Sequence, residues 1–320
     1  MQRLMVGCLI LLTFGMVVGR RAAEAQPTGK VYRIGCLSEG EWPTVPGVLE
    51  ILRGLGYVEG HNLVVERRYA TQGEPLPALA AELVTHQMDL IMTNGTQAAQ
   101  AAQQATTTIP IVFILGSDPV RSGLIASYAR PGGNLTGMVI GLYGEMHLAM
   151  LKEALPGVVR VASLVRAHPE HPDWVSFADT ARKLGVELLN MDVPGPEGFD
   201  DFFAAARRAG ADAVVVPNVV WFGPHLKRLG ELATQHGFPA IGFRRAFAEG
   251  GGLLSYGQQP KETRARVAAQ VDKLLKGANP ADVPVEQPMR FELVINLKTA
   301  HALGFTMPPT LLLQADTVIR

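Results

Sequence analysis

Strand-like and helix-like segments alternate along most of this 320-residue chain, and that alternation restricts its fold more than any other feature. β-branched runs such as Val31 to Leu37 and Ile109 to Leu115 predict strands. Between such runs, apolar residues from Leu76 to Leu83 recur at i, i+3, i+4 and i+7, which predicts an amphipathic helix. Alternation of this kind predicts βαβ units, in which a parallel sheet carries helices on both faces.

The alternation starts again after a turn-rich joint at Ala129 to Asn134. A helix is predicted from Leu148 to Leu155, and a strand follows from Val161 to Val165. Each series contains an apolar strand that ends in asparagine, at Asn94 in the first and at Asn218 in the second. We therefore predict an α/β protein made of two doubly wound, Rossmann-like lobes, each built on a parallel sheet.

The C-terminal part of the chain is too short to form a third domain. It contains a helical stripe at 267–275, a Pro-rich segment at 280–288, a strand at 291–295 and two short helical stretches at 297–303 and 311–318. We expect these elements to complete the two lobes, so that the chain crosses between them more than once and forms a hinge. The first lobe is predicted to comprise residues 31–141 with about 258–284, and the second 142–257 with about 285–320.

The first 25 residues have the layout of a secretory signal peptide. Arg3 precedes an apolar run from Leu4 to Val18, and Ala23-Glu-Ala25 supplies a small-residue cleavage site. The alternative is a membrane anchor, but the run falls short of the ~20 residues that a spanning helix needs. We expect cleavage after Ala25 and a periplasmic mature protein.

The charge of the mature chain argues against a nucleic-acid partner. Of the 29 basic and 29 acidic residues, three Arg and one Glu lie in the leader, which leaves a net charge of −2. A positive field that would attract phosphate backbones is therefore not expected. Cys36 is the single cysteine beyond the leader, so the mature chain cannot form an internal disulfide. A monomer is expected.

Ligands of doubly wound sheets bind outside the carboxyl ends of the strands, and several polar residues stand at these predicted ends. In the first lobe they are Ser38, Asn94, Thr96, Ser117 and Asp118. The sequence around Ser117 is also a good helix N-cap, so capping alone explains it. A helix start in that position nonetheless points backbone N–H groups into the crevice, where a carboxylate would bind.

The matching ends of the second lobe are the Arg166–His168 loop, Asn218 with Trp221, and the Arg244-Arg245 loop. The glycine-rich run that leads to Tyr256 follows, and it also suits a plain loop before an edge strand. A cleft that offers amides, hydroxyls and aromatic rings suits a small polar or zwitterionic ligand.

Sequence signatures of catalysis and of cofactor binding are missing. The chain contains neither a G-x-S-x-G elbow nor a Walker A motif, and no G-x-G-x-x-G sequence joins the first strand to its helix. His168 and His171 have a spacing that could suggest a metal pair, but no cysteine or third ligand stands nearby. No catalytic residue, metal or cofactor is predicted.

Eight segments, in order along the chain, resemble those of a known family. They are Leu52–Leu63, Leu76–Leu83, Thr108–Phe113, Asp118–Leu124, Ala129–Gly137, Gly251–Gly257, Pro284–Pro288 and Phe291–Ala300. Together they look like the substrate-binding proteins of ABC transporters whose better-understood members bind tryptophan and other aromatic amino acids. The resemblance implies a type I periplasmic-binding-protein fold, with a ligand closed between two hinged lobes and delivered to a membrane permease by transient contact.

Carried over to this chain, the resemblance places Asn94, Thr96, Ser117, Asp118 and Asn134 near the ligand on the side of the first lobe. Asn218 and Tyr256 correspond to positions on the side of the second lobe.

Two loops that should touch the ligand depart from the pattern of the relatives, at Glu39–Pro43 and Arg166–His168. The resemblance therefore does not fix an aromatic amino acid as the ligand. Trp42 and Trp221 suit either stacking on a planar ligand or covering the cleft.

Two other functions are compatible with the same cleft. One is an enzyme that acts on an amino acid or a small carboxylate, which would need an acid–base pair that only Asp118 and His168 could supply. The other is a ligand-sensing domain that signals to a membrane receptor. Genes for a permease and an ATPase beside this one would favour transport.

Overall fold

The first part of the chain forms a parallel sheet of five strands in the order β2-β1-β3-β4-β5. The computed structural model describes residues 29–70, 74–140, 143–165 and 172–320, with the side chains at 143, 165, 172–176, 220 and 221 excepted. The strands are β1 (Tyr32–Ser38), β2 (Leu63–Tyr69), β3 (Leu90–Asn94), β4 (Ile111–Leu115) and β5 (Leu135–Val139). Strands β3 and β4 are buried along their whole length, as the continuous apolar runs of interior parallel strands predict.

Helices cover both faces of this first sheet. Its helices are α1 (Thr44–Gly54), α2 (Leu76–Thr85) and α3 (Thr96–Ala105). The apolar stripes of α2 and α3 pack on one face. The other face is covered by α1 together with α9 (Pro260–Leu275), a helix that lies far along the chain. A late segment therefore completes the core of the first sheet.

The second sheet has seven strands in the order β12-β11-β10-β9-β8-β6-β7. Its strands are β6 (Arg160–Val165), β7 (Glu187–Asp192), β8 (Ala213–Val215), β9 (Ala240–Gly242), β10 (Leu254–Gln258), β11 (Phe291–Asn296) and β12 (Thr317–Ile319). Its helices are α4 (Tyr143–Ala154), α5 (Pro172–Lys183), α6 (Phe199–Arg208), α7 (Leu226–Gln235), α8 (Arg245–Glu249), α10 (Leu297–Ala302) and α11 (Pro309–Gln314), with 3₁₀ helices at Pro196–Gly198, Val220–His225 and Pro280–Asp282.

The two sheets repeat one winding. Read from β7 to β10, the second sheet orders its strands as the first does, so both halves have a 2-1-3-4-5 arrangement. This arrangement confirms the prediction of an α/β fold with doubly wound parallel sheets. The second sheet departs from it at one edge, because β11 runs antiparallel to β10.

Two segments differ from the sequence prediction. Strand β5 was not predicted, because Thr136 and Gly137 interrupt its apolar run. The turn-rich joint at residues 129–134 therefore lies before the last strand of the first sheet, not after it. The predicted helical stretch 311–318 ends at Gln314, and residues 317–319 pair with β11 as β12. Asp316, which lies between α11 and β12, ties this segment to β11, because its carboxylate accepts a hydrogen bond from the N–H of Leu293 at 2.8 Å.

The chain passes between the two sheets from β10 to α9 and over residues 286–291, and also between β5 and α4, where residues 141–142 lie outside the described ranges. The first two of these segments lie side by side, because the N–H of Gln259 donates to the carbonyl of Arg290 at 3.3 Å. The carboxylate of Glu262 accepts from the N–H groups of Met289 and Arg290 at 3.2 and 3.0 Å. In the part of the chain that the structure describes, no helix has the length and apolar character needed to cross a membrane.

The substitution Gly257→Ala is expected to destabilise the second sheet where it meets the crossing. A Cβ atom at position 257 would lie 2.0 Å from the carbonyl oxygen of Phe243, which is backbone and cannot rotate away. We expect a loss of about 1–3 kcal/mol in the free energy of unfolding, measured by urea denaturation. Gly133→Ala is the matched control, because a Cβ there meets nothing within 4 Å. Equal stability of the two variants would contradict the close approach of β9 and β10.

Candidate functional site

The carboxyl ends of the two sheets meet at a cavity that both sheets line. Its empty volume is about 540 Å³, part of which is open solvent. The lining residues are Trp42, Pro43, Thr44, Asn94, Ile114, Gly116, Ile140, Asn218, Gly223, Phe243, Arg244, Gln258 and Thr263. A crevice of this kind is the place where open α/β sheets bind ligands.

The first sheet contributes a row of side chains from one of its faces. Asn94 ends β3 and pairs in register with Ile114 of β4, so both side chains leave the sheet on the same side. Ile140 follows β5, and its N–H donates to the carbonyl of Leu115 at 2.8 Å. Ser38 at the end of β1 is in register with Asn94 on its other side. The row combines the buried amide of Asn94 and the buried hydroxyl of Ser38 with the apolar side chains of Ile114 and Ile140.

The N-terminus of α1 also reaches the cavity. Pro43 and Thr44 line it where the helix begins, and the first turn contains no acidic residue. This helix start is not a row of free N–H donors, because Pro43 and Pro46 have no N–H and the N–H of Val45 donates to the carbonyl of Trp42 at 3.1 Å. Trp42, only 4% exposed, both lines the cavity and belongs to the apolar core under α1. The Trp42 side chain is therefore held by core packing and forms part of the cavity wall.

The second sheet contributes an amide, an aromatic ring and a cation. Asn218 follows β8, and Phe243 and Arg244 follow β9. The guanidinium carbon of Arg244 lies 5.4 Å from the centroid of the Phe243 ring. A Cβ at Gly223 would lie 3.9 Å from Nη1 of Arg244, so the tip of this side chain stands over the glycine at the cavity wall.

The two sheets come within van der Waals distance of each other beside the cavity. A Cβ atom at Gly116, directly after β4, would lie 3.4 Å from the carbonyl oxygen of Asn218, beyond β8. Glycine at position 116 therefore lets the backbones of the two halves approach closely.

Buried polar atoms near the cavity lack protein partners. Within the described residues, Oγ1 of Thr263, Nδ2 of Asn218 and Oγ of Ser38 accept or donate no hydrogen bond. Thr263 is 4% exposed and Ser38 is fully buried. Each such atom costs about 1–3 kcal/mol unless something else satisfies it. Thr263 and Asn218 line the cavity, so a polar molecule bound there would supply their missing partners.

Thr96 and Ser117 stand just behind the cavity wall and hold it together. Thr96 begins α3, and its Oγ1 lies 2.5 Å from Oγ of Ser117, which is 3% exposed. This hydroxyl pair joins the loop after β3 to the loop after β4, so that Asn94 and Gly116 are kept side by side. Neither residue is among the lining residues, but Thr96 lies two residues after Asn94 and Ser117 one residue after Gly116, so their contact with a ligand stays a prediction.

Asp118 uses its carboxylate inside its own turn. Oδ1 accepts hydrogen bonds from the N–H of Val120 at 2.9 Å and from the hydroxyl of Tyr128 at 3.4 Å. Burial and the neighbouring Asp118 raise the pKa of the Tyr128 hydroxyl. The carboxylate thus stabilises the 118–123 turn, which the sequence prediction had assigned to a helical stretch.

Two predicted contacts are not brought to the cavity. Asn134 precedes β5, so it lies at the amino edge of the first sheet, and its Nδ2 donates to the carbonyls of Thr106 and Ile109 at 3.0 and 2.8 Å. Tyr256 stacks on Phe291, with ring centroids 5.4 Å apart. Neither residue lines the cavity, and a role of either in ligand binding stays a prediction.

His147 fixes the strand that carries Tyr256. Its Nε2 lies 2.7 Å from the carbonyl oxygen of Tyr256, joining α4 to β10. Complete burial lowers the pKa of His147 to about 4, so the ring is neutral near pH 7 and Nε2–H donates to that carbonyl. This bond steadies the end of β10, where Gln258 lines the cavity.

Some predictions fall outside the described residues. The leader, His168, His171 and the Arg166–His168 loop are among them, and of Trp221 only the backbone is described, within a 3₁₀ helix. Within the described ranges, no group of three or more His, Cys, Asp or Glu side chains is placed to hold a metal ion.

Sequence reasoning did not select Arg244, Gln258 or Thr263 as site residues. The Arg244-Arg245 loop was predicted as a strand end of the second lobe, but Arg244 was not chosen as a ligand contact. The other two lie where the chain crosses to α9, and nothing local marks that crossing as part of the site.

The sequence profile of the family described as "ABC transporter substrate binding protein" matches residues 38–319. Among curated proteins, the tyrosine-binding protein of Clostridioides difficile is 26% identical over 264 residues, which cover 80% of this chain and 75% of the relative.

Solved structures match over nearly the whole chain. A conserved domain protein from Vibrio cholerae is 27% identical with a TM-score of 0.80, covering 90% of this chain and all of the other. An ABC domain from Streptococcus pneumoniae in complex with L-Trp is 24% identical with a TM-score of 0.76, covering 90% and 99%. Both share the two-lobed α/β fold of type I periplasmic binding proteins.

The substitution Gly116→Val is expected to push the two halves apart at the cavity. The added methyl groups would extend from a Cβ already 3.4 Å from the Asn218 carbonyl oxygen. We expect a larger radius of gyration by small-angle X-ray scattering. Gly157→Val is the control, since a Cβ there has no neighbour within 4 Å. An unchanged radius in the Gly116 variant would show that the two halves do not touch here in solution.

Proposed function

This chain belongs to the ABC transporter substrate-binding protein family, and on that premise we propose that it binds a small, amino-acid-like molecule between its two lobes and delivers it to a membrane permease. The cargo is polar or zwitterionic, and an aromatic amino acid is the first candidate. The observation that carries this proposal is the cavity between the carboxyl ends of both sheets, surrounded by buried polar atoms without protein partners.

The lining suits a molecule with an apolar ring and a polar end. Trp42, Phe243, Ile114 and Ile140 supply apolar surface, whereas polar groups come from the lining residues Asn94, Asn218 and Thr44. Pockets of this composition orient a ligand through a few polar contacts and gain affinity from apolar burial. The names of the relatives add support, since one binds tyrosine and another was solved with L-Trp.

We further propose that residues 31–141 with about 258–284 form the first lobe, and 142–257 with about 285–320 the second. Packing of α9 on α1 and pairing of β11 with β10 support these boundaries. The crossing segments then act as the hinge, and a ligand that contacts both lobes favours the closed state. The family is one of binding proteins rather than of enzymes.

Substrate-binding proteins of ABC transporters act outside the cytoplasm. For this chain we propose a periplasmic location, removal of the leader after Ala25, and a monomer that contacts its permease transiently. Support comes from the leader-like pattern of the first 25 residues.

The ligand is identified by thermal-shift screening of residues 26–320 against amino acids and small carboxylates. A molecule that binds only the folded state raises the melting temperature by mass action, equivalent to about 2.7 kcal/mol at a hundredfold excess over its dissociation constant. We expect L-tyrosine or L-tryptophan to shift the transition. Asn94→Ala and Asn218→Ala should weaken binding about tenfold each in calorimetric titrations, because each removes a buried hydrogen-bonding group.

Asn190→Ala is the matched control, because Asn190 is exposed on the edge strand β7. A shift caused by another class of molecule would change the cargo and keep the role. Absence of any ligand, together with turnover of a candidate substrate, would contradict a binding protein.

The leader is tested by expression of the full chain in a Gram-negative host. We expect soluble protein in the periplasmic fraction, with an intact mass that begins at Gln26. Recovery of the uncut chain from the membrane fraction would instead establish an anchor.

A further inference from the structure

The hydroxyl of Thr263 is a buried polar group at the cavity that the protein leaves unpaired. Thr263 lines the cavity from the first turn of α9 and is 4% exposed. Within the described residues, its Oγ1 has no hydrogen-bond partner. A buried hydroxyl without a partner costs free energy, which a bound molecule recovers if it supplies one.

The position of Thr263 in its helix explains the missing partner. A helical threonine can donate its hydroxyl to the carbonyl four residues earlier, as Thr85 does to Ala81 at 2.9 Å. For Thr263 that carbonyl belongs to Gln259, and it already accepts from the N–H groups of Glu262 and Thr263 at 3.1 and 3.4 Å. A carbonyl oxygen has two lone pairs, so this acceptor is fully used. The hydroxyl proton therefore needs an acceptor from outside the helix.

The first turn of α9 is also where the chain that passes between the two sheets is held. Glu262, the residue before Thr263, accepts from the N–H groups of Met289 and Arg290 at 3.2 and 3.0 Å. Nε of Arg266, one turn later, donates to the Glu262 carboxylate at 2.9 Å. Successive residues of a helix point about 100° apart. One turn therefore presents Glu262 to the crossing segment and Thr263 to the cavity.

Helix α9 belongs to the core of the first sheet. Val267 is fully buried in the apolar cluster that α9 shares with α1 and with strands of that sheet. Nε2 of Gln270 donates to the carbonyl of Gly137, in β5, at 3.0 Å. Thr263 is therefore fixed relative to the lining residues of the first sheet, such as Asn94, at any angle between the lobes.

Asn218 differs from Thr263 in this respect. It follows β8 of the second sheet and lines the same cavity, and its buried Nδ2 has no partner within the part of the chain that the structure describes. A molecule held by the first lobe reaches Asn218 only when the lobes approach each other. Contacts that are equal in two states add affinity, whereas only contacts that differ between the states shift their equilibrium.

We infer that Thr263 donates a hydrogen bond to the cargo in both the open and the closed state, so that it sets the affinity without driving closure. This inference rests on the proposed function and assigns a ligand contact to a residue beside the hinge. Asn218, from the second lobe, supplies a contact that favours the closed state.

Paired substitutions at position 263 test the hydroxyl. Thr263→Val keeps the branched shape and removes the hydroxyl, whereas Thr263→Ser keeps the hydroxyl. The probes are L-tyrosine, L-tryptophan and the molecule that gives the largest shift in the thermal-shift screen, each titrated calorimetrically. We expect Thr263→Val to weaken binding about tenfold, because an acceptor of the probe is left unpaired, and Thr263→Ser to stay within about threefold of the wild type.

The stability of the unliganded variants separates a binding role from a structural one. Because the Thr263 hydroxyl has no partner within the described residues, Thr263→Val should leave the melting temperature unchanged or raise it. Thr299→Val is the matched control, since Thr299 is 3% exposed and its Oγ1 donates to the carbonyl of Gly251 at 2.8 Å. That variant should melt at a lower temperature and bind the probe as the wild type does. An equal loss of stability in Thr263→Val would show a structural hydroxyl and overturn the inference.

Small-angle X-ray scattering at saturating probe measures closure. We expect the radius of gyration of Thr263→Val to fall on addition of the probe as much as that of the wild type. The radius of Asn218→Ala should fall less, because this variant lacks a contact made only in the closed state. A Thr263→Val variant that is saturated but does not close would contradict a contact that is equal in both states.

The remaining outcomes are distinct. If Thr263→Val binds the probe as tightly as the wild type, or if Thr263→Ser is weakened as much as Thr263→Val, the inference is wrong although the proposed function stands. If no molecule in the thermal-shift screen binds the wild type, the proposed function fails and the inference fails with it.

Discussion

Parallel pairing of strands is the constraint on which the rest of this structure depends. Parallel strands need a crossover connection, and a right-handed crossover packs its helix on a face of the sheet. Every strand of the five-stranded sheet therefore ends at the same edge, and the second sheet repeats this winding from β7 to β10. Polar residues that follow strands, such as Asn94 and Asn218, are gathered at those edges as a consequence.

The two lobes depend on each other through the late part of the chain. Helix α9 covers the first sheet, whereas β11, separated from it by residues 276–290, joins the second. Glu262, in the first turn of α9, accepts from the backbone of residues 289 and 290 and pairs with Arg266, which also contacts Glu286 at 2.7 Å. Burial of the Glu262 carboxyl would raise its pKa, but these backbone donors and the guanidinium of Arg266 lower it on balance. These hydrogen bonds and ion pairs hold together the two segments that pass between the sheets. Gln258 and Thr263, which line the cavity, lie in one of these segments.

The proposed function depends on what the cavity offers a ligand. The lining combines buried rings, amides, a helix start and the cation of Arg244. Several residues that look functional in sequence, including Thr96 and Ser117, stabilise the loops that present the lining. The strand ends that the sequence predicted meet at this cavity, and which of the residues there contact a ligand stays a prediction.

The sequence by itself determined the element types, the doubly wound class and the general location of the site, because these follow from local periodicity and from where apolar runs stop. It failed at β5, where Gly137 interrupts the run, and at the last residues, where pairing with β11 overrides a helical pattern. Only the tertiary structure decided that Asn134 lies at the far edge of its sheet and that Arg244 and Thr263 face one cavity. The physical reason is that strand direction, register and the packing of distant helices set where a side chain points, and none of these is encoded in neighbouring residues.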